Sequence, residues 1–259
     1  MKPLILLALA LIMPLFSQAK TPQQQGLEIA VAADQRDAGF GHFTADMVMI
    51  LRNRKGDESV RNIHNRTLEV EQDGDKSLVI FDRPRDIKNT AMLTFTHGLK
   101  PDDQWIYLPA LKRIKRIHSR NKSGPFMGSE FAYEDLGSQE VEKYSYTYLK
   151  EESCGQWECF VIERRPEYEY SGYTRQLVWL DKQEYRVVKT DYYDRKNALL
   201  KTLEFKGYQE YIGHYWRPDE MFMQNHQTGK NTLLKWSNYQ FRTGLTDRDF
   251  NPNTLNRVR

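Results

Sequence analysis

Residues 103–136 read DQWIYLPALKRIKRIHSRNKSGPFMGSEFAYEDL. Trp105-Ile106-Tyr107-Leu108 is an apolar, aromatic strand-like run, closed by Pro109. A basic run follows over residues 112–122, and Gly124-Pro125 then breaks the chain. The stretch ends in small and aromatic residues, Phe126-Met127-Gly128-Ser129-Glu130-Phe131-Ala132-Tyr133. It interrupts two long regions that both carry a period of two, the spacing of half-buried strands.

On its N-terminal side, Phe43, Ala45, Met47, Met49 and Leu51 alternate with Thr44, Asp46, Val48, Ile50 and Arg52. A turn at residues 53–57 leads to a strand over 58–71, and Asp73-Gly74 is a hairpin signal before a strand over 76–81. After a polar loop at 82–89, residues 90–96 form the next strand, with Ala91, Leu93 and Phe95 on one face. On the C-terminal side, strands are predicted over 143–151, 157–165, 173–180, 184–193, 199–208, 215–224 and 232–241. With the Trp105 run, these strands joined by short turns predict an antiparallel meander in one domain spanning residues 20–259. One helix precedes them. Thr21 is its N-cap, Pro22 fits its first position, Gln24 completes a capping box, and Gly39 stops it. The tail, residues 245–259, reads as polar coil or a turn of helix.

Residues 1–19 have the pattern of a secretory signal: Lys2, an apolar stretch over residues 4–16, and small residues in Ser17-Gln18-Ala19. The stretch is shorter than the roughly 18 residues of a spanning helix. Cleavage is expected after Ala19, and the mature chain is expected in an exported compartment. The two cysteines, Cys154 and Cys159, then read as a short-range disulfide stapling a hairpin. A metal or redox pair is the alternative, but the spacing is not CxxC and no histidine is close.

The formal charge is +3, so bulk charge gives no reason to expect a nucleic-acid partner. His42, His64, His97, His118, His214 and His226 are scattered singly, and no HExxH, GxSxG or phosphate-loop pattern occurs. No enzyme, metal or cofactor is expected. Lys112, Arg113, Lys115 and Arg116 have two readings, a solvated face or a patch for an anionic membrane or a protein partner. The apolar faces also have two readings, a filled core or a cavity. One helix cannot cover both faces of so large a sheet, so a lipidic ligand would have room. Its candidate contacts are Phe43, Met47, Met49, Leu93, Phe95, Trp105 and Tyr107. Phe126, Met127, Phe131 and Tyr133 would lie on a segment folding across as a cover, bending at Gly124 and Gly128.

The run Trp105-Ile106-Tyr107-Leu108-Pro109-Ala110-Leu111-Lys112-Arg113-Ile114-Lys115-Arg116-Ile117, with Gly124-Pro125-Phe126-Met127-Gly128-Ser129 and Tyr133-Glu134-Asp135-Leu136, resembles the outer-membrane lipoprotein-sorting family of LolA-like periplasmic carriers. The resemblance implies a mainly β fold with a few helices: a large unclosed antiparallel barrel whose hydrophobic concave face is covered by helix and loop. It implies that a lipid or lipoprotein acyl chain binds there without catalysis, and that the carrier works with an inner-membrane exporter of the resistance–nodulation–division type. A non-carrier accessory or sensor subunit of an envelope complex is the alternative function, and an envelope enzyme a more distant one.

Overall fold

The computed structural model describes residues 19–71, 73–98 and 100–258. The expected signal segment lies outside the described residues up to position 18.

Helix α1 spans Pro22–Asp37. Thr21 Oγ1 accepts the Gln24 N–H at 3.2 Å, and the Gln24 side chain accepts the Thr21 N–H at 2.9 Å. The capping box therefore satisfies two of the donors that a helix start leaves open. Gly39, at φ +90, ends the helix region. Ile29 and Ala30 pack on Tyr144, Tyr146, Ile162, Val178 and Leu180. At Gly26 the helix comes so close that a Cβ would lie 2.7 Å from the Tyr148 backbone nitrogen.

The strands are β1 His42–Arg52, β2 Glu58–Leu68, β3 Lys76–Arg83, β4 Ala91–Phe95, β5 Asp103–Leu108 and β6 Arg113–Arg116. They continue as β7 Tyr144–Cys154, β8 Trp157–Pro166, β9 Tyr173–Asp181, β10 Val187–Asp194 and β11 Leu199–Lys206. The last are β12 Gln209–Tyr211, β13 Tyr215–Arg217, β14 Glu220–Asn225 and β15 Asn231–Phe241. Thirteen form one sheet in the order β6-β5-β4-β3-β2-β1-β15-β14-β11-β10-β9-β8-β7, and β12 and β13 pair separately. The sheet is antiparallel and is not closed into a barrel. Its two ends are β6 and β7.

This corrects the single meander expected from the sequence. The chain makes two runs. The first goes outward from β1 to the edge strand β6. The chain then crosses through residues 117–143 to the opposite edge, and the second run returns until β15 pairs with β1. The predicted strand over 215–224 is also two strands, because Pro218 cannot donate to a ladder and falls at the break. The basic run contributes a strand of its own, β6. Cys154 and Cys159 are bonded, with Cα atoms 5.9 Å apart, across the β7–β8 turn.

The inner face carries Met47, Met49, Ile63, Val79, Phe81 and Met92 from one run and Tyr192, Leu203, Met223 and Leu234 from the other. On the outer face, the C-terminal turn Pro252–Arg257 brings Leu255, with Phe250, against Leu78, Ile80, Ala91 and Leu93. Strands β3 and β4 are thus buried on both sides.

Candidate functional site

The connection between β6 and β7 lies over the inner face. It has no long element, only short 3-10 turns at Ser119–Asn121, Phe126–Gly128, Tyr133–Leu136 and Val141–Lys143. Between the first two, Gly124-Pro125 turns the chain inward. The Phe126 N–H then donates to the Phe131 carbonyl at 2.7 Å, closing a tight loop. Met127 and Gly128 form its tip at positive φ. Phe126 and Phe131 are buried in the inner-face cluster. The Phe126 ring meets Phe81 at 5.8 Å and Tyr133 at 5.7 Å.

Polar groups fix this cover to strands of both runs. The Glu130 N–H donates to Thr232 Oγ1 at 3.0 Å, and Asn225 Nδ2 donates to Glu130 Oε2 at 2.6 Å. Lys201 Nζ donates to the Glu130 carbonyl at 2.8 Å and to Asp135 Oδ2 at 2.7 Å. Tyr173 donates its hydroxyl to Asp135 Oδ1 at 2.8 Å. The Gln104 side chain donates to the Tyr133 carbonyl at 2.9 Å, and Arg61 donates to the Met127 carbonyl. Glu134 accepts from the Gly172 N–H, Ser171 and Tyr168. Burial, then the neighbouring Asp135, pushes the Glu134 carboxyl above its usual range.

Two adjoining cavities lie on this face. The apolar one, 410 Å³, is lined by Phe43, Met47, Met49, Val79, Phe126, Phe131, Met221, Leu234 and Trp236, with Asn65 and Thr67 among its polar groups. The larger one, 770 Å³, lies beside α1 and is lined by Ala30, Ala33, Ile162, Val178 and many charged side chains. Asp37, Phe40, Asp75, Ser138 and Arg217 line both. Arg217 donates to Asp37 Oδ1 at 2.6 Å and lies over the rings of Phe40, Phe43 and Phe241. The indole N–H groups of Trp216 and Trp236 are buried in these walls with no acceptor among the described residues.

Asp75 sits at this junction. Burial, then the negative charges of Glu140, Glu69 and Asp37, raise its carboxyl from 3.8 to about 7, against a hydrogen bond from the Val70 N–H. Between those values the folded state holds a proton that the unfolded chain has released. This group therefore makes stability fall as the pH rises from about 4 to about 7, with no further change above. Asp75→Asn keeps an acceptor for Val70 and has no charge to bury. We expect it to match the parent near pH 4 and to exceed it by up to roughly 4 kcal/mol at pH 8, in thermal melts at both pH values. A variant weaker than the parent at pH 8 would show that the ionised carboxylate is stabilising.

The predicted ligand contacts divide between two faces. Phe43, Met47, Met49, Phe126 and Phe131 line the apolar cavity, and Met127 and Tyr133 pack against the same cluster. Leu93, Phe95, Trp105 and Tyr107 do not join them. They lie on the outer face with Phe250 and Leu255. Both faces of β4 and β5 are covered, so alternation there does not say which set points inward. The inward residues are Met92 and its cross-strand partner Ile106. Met221, Leu234 and Trp236 were also missed, although Leu234 and Trp236 sit two apart in a readable alternation. Lys112, Arg113, Lys115 and Arg116 line neither cavity and are exposed on or beside β6.

Comparison with known proteins decides the family. A domain from Vibrio parahaemolyticus, described as that of an outer membrane lipoprotein-sorting protein, is 55% identical with a TM-score of 0.89, over 90% of this chain and 99% of its own. The chain belongs to the outer membrane lipoprotein-sorting protein family. A DUF1329 family protein from Desulfovibrio piger is 30% identical with a TM-score of 0.86, over 91% of this chain and 100% of its own. A LolA superfamily protein from Nitrosomonas europaea is 20% identical with a TM-score of 0.70, over 90% of this chain and 98% of its own, and shares the fold. A family profile whose description is "uncharacterized protein" matches residues 73–257. No curated protein matches. No described helix is long and apolar enough to cross a membrane, and no group of three or more described His, Cys, Asp or Glu residues is placed to hold a metal ion.

Proposed function

We propose that this protein is a periplasmic carrier that holds a lipid, or the acyl chains of a lipoprotein, between the inner sheet face and the cover, using one domain over residues 20–259 and no catalysis. The observation that supports this most is the 410 Å³ methionine- and phenylalanine-lined cavity under a loop cover. Methionine side chains adapt to an irregular apolar guest. Ten buried methylenes contribute about 8 kcal/mol, enough to hold a chain without a charged anchor. The adjoining cavity, with Arg217, Asp37 and the Trp216 indole in its wall, offers a polar site for the other end of an amphiphile. An inner-membrane exporter of the resistance–nodulation–division type is the proposed partner, on the family resemblance.

A second reading has an observation of its own. Phe126 and Phe131 already fill part of the inner face, as suits an accessory subunit that carries nothing. A fluorescent fatty-acid probe separates the two. The carrier reading expects saturable binding and displacement by lipid extracted from the envelope. A folded protein that leaves the probe in water favours the accessory subunit.

A further inference from the structure

Between Asp103 and Glu130 the chain has no carboxylate, but it has Lys112, Arg113, Lys115, Arg116, Arg120 and Lys122. The fold treats these cations differently. Lys122 is buried over the Tyr168 ring at 3.7 Å. Arg116 pairs with Asp103 and sits above the Trp105 ring. Lys112, Arg113, Lys115 and Arg120 are exposed, and among the described residues none forms an ion pair. Lys112 ends the β5–β6 turn, Arg113 and Lys115 lie on β6, an edge strand bonded only to β5, and Arg120 is in the turn after it, over the Tyr170 ring at 5.5 Å. At the tip of the β5–β6 hairpin stands Leu111, 52% exposed, beside exposed Ala110 and directly before Lys112.

We propose that this hairpin docks the protein on an anionic bilayer surface, with Leu111 entering the interface and Lys112, Arg113, Lys115 and Arg120 meeting lipid phosphates. Clustered cations beside an anionic leaflet give attraction that grows with each charge. An apolar residue flanked by cations is the composition of interfacial anchors. Lysine on an edge strand also discourages strand pairing, but that role needs no leucine held out at the tip. Ile114 turns back into the outer-face cluster, so the hairpin has an apolar residue that it buries and another that it presents. The choice of a bilayer over an acidic protein rests on the carrier reading, because a lipid cargo is loaded from a membrane. β6 also leads directly into the cover, so docking would set the cover close to that membrane.

The test is co-sedimentation of the full chain, after lipid removal, with vesicles of phosphatidylcholine alone or mixed with phosphatidylglycerol. Binding is expected only to the mixed vesicles and should weaken as salt shortens the screening length. The triple variant Lys112→Gln, Arg113→Gln, Lys115→Gln should bind on the order of a hundredfold more weakly, and Leu111→Ser should also lose affinity. Leu111→Cys carrying an environment-sensitive dye reports insertion with every cation in place, and its emission should shift on the mixed vesicles alone. Equal binding to both vesicle types, undiminished binding of the triple variant, or an unshifted dye overturns the proposal. So does loss of an acidic protein partner by the triple variant with vesicle binding intact. Vesicle docking needs no cargo uptake, so a protein that docks but binds no fatty-acid probe contradicts the carrier reading alone. One that binds the probe but ignores vesicles contradicts the docking alone.

Discussion

Lys201→Met is expected to destabilise the protein by about 3–5 kcal/mol, the usual cost of leaving one member of a buried ion pair alone. Both partners are almost fully buried, with side chains 4% and 5% exposed and Nζ 2.7 Å from Asp135 Oδ2. The same ammonium holds the Glu130 carbonyl and lies 5.2 Å from the ring centres of Tyr173 and Tyr192. Its removal leaves Asp135 with the Tyr173 hydroxyl and the Ala132 N–H but no opposite charge. The double variant Lys201→Met, Asp135→Leu should regain much of the loss, since paired apolar replacements of buried ion pairs are often near neutral. Denaturant unfolding measures both. A single variant within about 1 kcal/mol of the parent would mean that the pair does not hold the cover.

The second large effect concerns binding. Met47→Asp sets a carboxylate into the cavity wall, where Met47 is buried in β1. The charge must stay hydrated or be neutralised, and either competes with an acyl chain. Probe affinity should fall at least tenfold, roughly the 1.4 kcal/mol that two lost methylene contacts would exceed. Met47→Leu, similar in volume, should bind as the parent does. Met221 lines the same cavity but is only partly buried, so Met221→Asp gives the same test where Met47→Asp unfolds. Parent-like affinity in a folded Asp variant would place the probe elsewhere.

These residues also show what the sequence makes legible. Met47 and Met49 were readable as one inward set because Thr44, Asp46 and Arg52 fall in the alternate set along β1. Leu93 and Trp105 were not, because the C-terminal turn buries the outer face there and removes the polar half of the pattern. The start and stop of α1 were legible because capping is local. The jump from β6 to β7 was not, since strand period does not name a strand's neighbours. The cover was visible in its glycines and aromatics. Its anchors were invisible, because Lys201 and Asp135 lie 66 positions apart.

The central claim is that the inner face carries lipid. Its most direct test is native mass spectrometry of the protein purified gently from its own host, paired with lipid extraction. The account predicts a population heavier than the polypeptide by the mass of a lipid, with the same lipid in the extract and less of it bound to Met47→Asp. Polypeptide mass alone, with no lipid in the extract, would contradict it.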